Sequence, residues 1–143
     1  MAEVLCAWCQ ARIGDSDVEH SHGICPSCYR TLRGLPDLDE AGLDALPYGV
    51  IVLSADGTVL AYNRAESELA GRQPCEVIGK HFFREVAPCT AVQAFQGEFE
   101  VFCLGAGQPR TFQFTFLFPG GPVRVQIVFL RKGPGAAVVV RRL

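Results

Sequence analysis

The chain has 143 residues, 49% of them hydrophobic and 20% charged, with 15 acidic and 13 basic side chains and a formal net charge of −2. That balance suits one globular domain with a filled core, and it excludes a general pull towards nucleic acid or an anionic membrane. No apolar run reaches the roughly 20 residues a bilayer-spanning helix needs, and the opening Met-Ala-Glu-Val-Leu-Cys lacks the basic and apolar stretches of a secretory signal, so a cytoplasmic protein is expected.

In chain order, residues 1–34 carry two cysteine knuckles, Cys6-x2-Cys9 and Cys25-x2-Cys28, and little else that could form a core. Zinc takes four thiolates in a tetrahedron, and each Cys-x-x-Cys turn aims two sulfurs at one point. The segment therefore reads as a four-cysteine, zinc-ribbon-like module, stabilised by metal because it is too small to fold alone. Local disulfides or a redox pair are the alternatives, and a reducing cytosol disfavours them. Gln10 and Tyr29 follow the knuckles, where c-type haem attachment needs His; His20 and His22 stand as alternative ligands or as loop residues. The segment's three arginines against four acids argue against phosphate binding, so nucleic acid is not an expected partner. Cys75, Cys89 and Cys103 are scattered singly.

Residues 35–47 read as a linker holding a short helix that starts at Asp39. From Tyr48 the pattern becomes strand, turn, strand: Val50-Ile51-Val52-Leu53, then Ala55-Asp56-Gly57, then Thr58 to Tyr62. Asn63 can cap a helix over Arg64 to Ala70, with Gly71 as its stop. A loop-rich middle follows through Pro74, Gly79 and Pro88. Phe95, Phe99 and Phe102 then recur at helical spacing between Ala94 and Leu104. Phe112, Phe114, Phe116 and Phe118 alternate with Gln113, Thr115 and Leu117, which is strand period. A second long strand begins at Val123, breaks at Gly133-Pro134-Gly135, and a third closes the chain. This order predicts an α+β domain over residues 48–143, a five-stranded antiparallel sheet with short helices on one face.

The residues Tyr48-Gly49-Val50-Ile51, Tyr62-Asn63, Ala65-Glu66, Gly71-Arg72, Val77-Ile78-Gly79-Lys80 and Val86-Ala87-Pro88-Cys89-Thr90 together resemble the photoactive yellow protein family, whose fold is the PAS fold. The likeness runs from about Asp39 to Thr90, resumes at Phe112 and ends in Val138 to Arg142. It implies that Cys89 anchors p-coumaric acid as a thioester, that Tyr62 and Glu66 donate hydrogen bonds to its phenolate, that Arg72 covers the pocket, and that Phe82 belongs to the binding site. In such a site light isomerises the chromophore, the phenolate takes the Glu66 proton, and the buried carboxylate left behind drives partial unfolding.

The same residues have plainer readings. Cys89 can be a buried small hydrophobe, Asn63-x-x-Glu66 can be a capping box, Tyr62 a half-buried strand residue, and Arg72 a solvated side chain. The chain also departs from the family. Ala70 stands where a threonine supports the tyrosine hydroxyl. Pro119-Gly120-Gly121-Pro122 shortens the methionine-bearing loop, which implies slow recovery, and the cysteine module replaces an acidic N-terminal cap.

The expected function is sensory: a blue-light receptor that signals through a downstream protein, with homodimerisation through the PAS domain as an option and no membrane partner. The alternative is a chromophore-free PAS module for protein interaction or ligand sensing with a structural zinc site. A zinc-ribbon regulator of transcription is a third reading, disfavoured by the acidic ribbon. No nucleophile–base pair, phosphate loop or open metal site points to an enzyme.

Overall fold

Strand-period segments of apolar residues need a sheet with something packed on each buried face, and the chain supplies both layers. A computed structural model describes residues 4–5, 12–13, 30, 32, 34–105, 109–118 and 120–143. Two short strands, β1 (Val4–Leu5) and β2 (Arg12–Ile13), pair antiparallel. The cysteines Cys6, Cys9, Cys25 and Cys28, with His20 and His22, lie outside the described residues. Among the described residues no group of three or more His, Cys, Asp or Glu side chains is placed to hold a metal.

The main sheet has five antiparallel strands: β3 (Gly49–Leu53), β4 (Val59–Tyr62), β5 (Arg110–Phe118), β6 (Gly121–Lys132) and β7 (Gly135–Arg142), in the spatial order β4-β3-β7-β6-β5. Every residue of β3 is buried, as a central strand covered on both faces requires. Among the described residues four α-helices accompany it: α1 (Glu40–Asp44), α2 (Arg64–Ala70), α3 (Pro74–Val77) and α4 (Glu98–Leu104). Asp39 caps α1 through Gly42 N at 2.8 Å, and Gly71 ends α2 in a left-handed conformation with φ of 70° that glycine adopts without strain.

Ile51, Leu53, Ile127, Phe129 and Val138 point inward against Phe82, Phe83, Phe95, Phe99 and Phe102 from the helical side. The other sheet face carries Val50, Val52, Val128, Leu130, Ala137 and Val139, and Leu32, Leu35 and Leu43 cover it. The segment read as a linker thus contributes buried leucines to this second layer. The middle read as loop-rich contains α3 and a turn with π-helical bonding over Phe82–Val86, and a second such turn, Gln93–Gly97, opens the stretch read as a helix and leads into α4. In the first of these, Ala87 N donates to Phe82 O at 2.8 Å, and the wider turn lets Phe82 and Phe83 both enter the core.

Arg131 of β6 holds the C-terminus of α4. Its Nη2 donates to Gly105 O at 2.7 Å and to Cys103 O at 3.3 Å, with its guanidinium 5.2 Å from the Phe102 ring centre. Asn63 does comparable work from a buried position. Its Oδ1 accepts from Val50 N at 2.8 Å and Glu66 N at 3.1 Å, and its Nδ2 donates to Leu43 O at 2.8 Å and Tyr48 O at 3.0 Å. One amide thus joins α1, β3 and α2. Asn63→Ala leaves these groups short of partners and is expected to cost at least about 2 kcal/mol in urea unfolding; a cost below about 0.5 kcal/mol would contradict the joint.

Candidate functional site

Five elements converge beside the inner end of the sheet. Strand β4 ends on Tyr62, and α2 begins directly after it and places Glu66 one turn later. Gly71 releases the chain so that Arg72 turns back, and its Nη1 donates to Val86 O at 2.8 Å. The π-helical turn delivers Phe82. A short 3-10 turn over Pro88–Thr90 then presents Cys89, fixed from below by buried Thr90, whose Oγ1 donates to Ala87 O at 2.6 Å. Strand β5 closes the far wall with Phe116 and Phe118.

Together these residues enclose a cavity of about 420 Å³. Tyr62, Glu66, Arg72, Phe82 and Cys89 all line it, so the structure brings the five residues singled out in the sequence to one space. The size lies within the ordinary range for small-molecule sites.

Glu66 is 2% exposed, and its Oε2 is buried with no hydrogen-bond partner among the described residues. Burial alone pushes its carboxyl up to about 8 from an ordinary 4.5, because the charged form cannot be solvated there. The capping-box reading of Glu66 holds by half. Its backbone N–H bonds to Asn63 Oδ1, whereas Asn63 N donates to Val50 O, not to the Glu66 carboxyl. Tyr62 is also held protonated: burial raises its phenol most, the neighbouring Glu66 raises it further, and Arg72 offsets part of this. Tyr62 and Glu66 therefore offer O–H groups rather than anions at neutral pH.

Other residues of the site were not singled out in the sequence. Gly49 lies against the carboxyl of Glu66, and a Cβ at that position would collide with Oε2. A lone glycine opening a strand of β-branched residues is the sequence signal for such a close approach. Phe116 and Phe118 stood in the sequence as strand-period residues, and Glu76 and Glu85 carried no signal, yet all four line the cavity. Ala70 lines it as well. Pro119 of the shortened loop lies outside the described residues.

Comparison with known proteins fits this geometry. The PAS fold family matches residues 37–132. The photoactive yellow protein of Rhodothalassium salexigens is 40% identical over 95 residues, covering 66% of this chain and 76% of that protein. That of Halochromatium salexigens is 36% identical over 114 residues, covering 80% and 81% respectively. Among solved structures, the photoactive yellow protein domain of the sensor histidine kinase Ppr from Rhodospirillum centenum superposes with a TM-score of 0.70 at 41% identity, covering 76% of this chain and 96% of that domain.

The raised Glu66 value has a consequence for folding. Between about 4.5 and about 8 the folded state keeps a proton that the unfolded chain has released. The stability this proton contributes is complete below about pH 4.5 and is lost as pH rises through about 8, a change of roughly 4–5 kcal/mol. Urea midpoints of the chromophore-free protein should fall across that interval, and Glu66→Gln should flatten the fall. Equal pH slopes in the two proteins would contradict it.

Proposed function

The chain belongs to the photoactive yellow protein family of PAS domains, and on that footing we propose that it is a blue-light sensor holding p-coumaric acid as a thioester on Cys89 and signalling by contact with a separate cytoplasmic protein. The observation that carries this is the Glu66 carboxyl, which is buried, has an unpartnered oxygen, and stands in the wall of the cavity that Tyr62 and Cys89 also line. A protonated acid in an apolar space is a donor in want of an acceptor, and a phenolate is such an acceptor.

Each side chain then has a definite part. The Cys89 sulfur takes the acyl group from an activated thioester; the new S–C bond forms as the donor's thiol departs with the proton. Tyr62 and Glu66 would donate their O–H groups to the phenolate, and the burial that keeps both protonated makes them donors at neutral pH. Phe82, Phe116 and Phe118 line the cavity and would flank the ring and exclude water, and Arg72, tied to Val86, would cover the outer side. When bound, the p-coumaroyl group supplies visible absorption, the phenolate and a double bond that light isomerises. Glu66, on giving up its proton, becomes a carboxylate whose Oε2 no described residue meets. The cost of that charge falls on α2 and, through Asn63, on the segments bearing Leu43 and Tyr48. Loosening there is the signal.

At the N-terminus we propose a structural zinc ion on Cys6, Cys9, Cys25 and Cys28, with residues 1–34 serving as moving cap or docking surface. A second reading, a PAS module that senses a ligand without a covalent chromophore, draws on Ala70, whose methyl gives the Tyr62 hydroxyl no hydrogen bond.

Intact mass and absorption separate these readings. Incubation with an activated p-coumaric ester should turn the protein yellow and raise its denatured mass by one acyl group, and Cys89→Ala should gain neither. A yellow Cys89→Ala protein, or wild type without an adduct, would refute the thioester. Native mass should exceed denatured mass by one zinc ion, lost on chelation or in Cys25→Ser; its absence would end the zinc proposal.

A further inference from the structure

Among the described residues, the sheet protects one of its edges and leaves the other unpaired. At the β4 edge the strand has four residues, and neighbouring backbone closes part of it: Gly79 N donates to Val59 O at 2.8 Å, Val59 N donates to Lys80 O at 2.9 Å, and Thr58 bridges to His81. At the opposite edge β5 runs nine residues, Arg-Thr-Phe-Gln-Phe-Thr-Phe-Leu-Phe, in unbroken register with β6 from Arg110↔Phe129 to Phe118↔Gly121. It has no proline, no bulge and no charge after Arg110, and no described strand pairs with its outer side. Long, flat, apolar edges are templates for pairing, and natural sheets blunt them unless something covers them.

The two faces of β5 specify what could cover it. On the inner face Phe112, Phe114 and Phe118 are only partly buried, leaving aromatic surface for apolar side chains of an added strand. On the outer face Gln113 and Thr115 are exposed, Leu117 is 67% exposed, and exposed Arg124 of β6 reaches across to Gln113 Oε1 at 2.8 Å. From residue 101 to 143 there are six basic side chains and no Asp or Glu. Arg110 is ion-paired with Glu98, so the charge that decides is Arg124, and a second copy paired through β5 would bring the Arg124 of each copy to one seam, which opposes self-association here. An acidic strand meets no such penalty.

We propose that β5 is a docking edge for an extended segment of a separate protein in which apolar and acidic side chains alternate. The added strand bonds to the backbone edge that no described strand pairs, sets its apolar residues on the phenylalanines, and turns its carboxylates to the Arg124 side. Phe116, Leu117 and Phe118 of the same strand line the Glu66 cavity. Docking and cavity occupancy therefore share a wall and are coupled in both directions. The docking edge itself stands without any assumption about a chromophore.

The test uses the full chain and fluorescent nine-residue peptides read by anisotropy: one alternating valine and glutamate, one alternating valine and lysine, and one with the valines and glutamates in separate blocks. The alternating acidic peptide should bind saturably, at least tenfold more tightly than either control, and should slow amide exchange in residues 110–118. Arg124→Glu, with an unchanged melting curve, should reverse the preference towards the lysine peptide. Thr115→Pro serves as a second variant if Arg124→Glu fails to fold, and should weaken acidic-peptide binding at least tenfold. The proposal is overturned by equal binding of acidic and lysine peptides, by no binding of the acidic one, or by protection that maps elsewhere. Concentration-dependent dimerisation that protects β5 without peptide also overturns it, and would name a second copy as the occupant.

Discussion

A carboxyl group enclosed by hydrocarbon must either keep its proton or find a partner, and the structure around Glu66 withholds the partner. Its Oε2 is buried and unbonded among the described residues, and it is wedged against a glycine that alone leaves room for it. Asn63 fixes where the carboxyl stands by bonding the Glu66 backbone and, from the same amide, the backbone of β3 and the segments before it. The proton on Glu66 and the attachment of those segments are thus parts of one arrangement. A change in the first is felt by the second through two bonds, without any larger rearrangement being required.

The cavity persists because its walls are stiff. Phe95 lies within 6 Å of the ring centres of Phe82, Phe112, Phe114, Phe116 and Phe129, at mostly tilted or edge-on angles. Such packing resists collapse into a neighbouring space, since moving one ring disturbs several others. The rings of Phe82 and Phe116 therefore serve twice: one side completes the core and the other bounds the site. Arg131 adds a further restraint by holding the end of α4 against the β6–β7 hairpin, which keeps Phe99 and Phe102 seated on the same cluster. Stability and site geometry are not separable here.

Much of this was legible in the residues. Period-two phenylalanines gave β5, the Val-Ile-Val run gave β3, and Asn63 with Gly71 bounded α2 correctly, because each rests on local chemistry. What stayed hidden depends on closure over longer distances. Asn63 was readable as a cap; its bonds to Val50, Tyr48 and Leu43 span 13 to 20 residues and follow only from the folded sheet. The π-helical turns have no periodic signature, since packing of Phe82 and Phe83 selects the first and of Phe95 the second, and α3 is a single turn between a proline and a buried valine. The site residues were found by motif, whereas Phe116 and Phe118 looked like ordinary strand residues until the cavity gave them a second surface, and Gly49 until the Glu66 carboxyl was seen to lie against it.

The protonation of Glu66 can be observed directly. Infrared spectra of the folded, chromophore-free protein at neutral pH, compared between wild type and Glu66→Gln, should show a protonated-carboxyl C=O band in the first that is missing in the second. A carboxylate band at that position instead would mean that the side chain is ionised in its cavity, and the link between one buried proton and the attachment of α2 would fail.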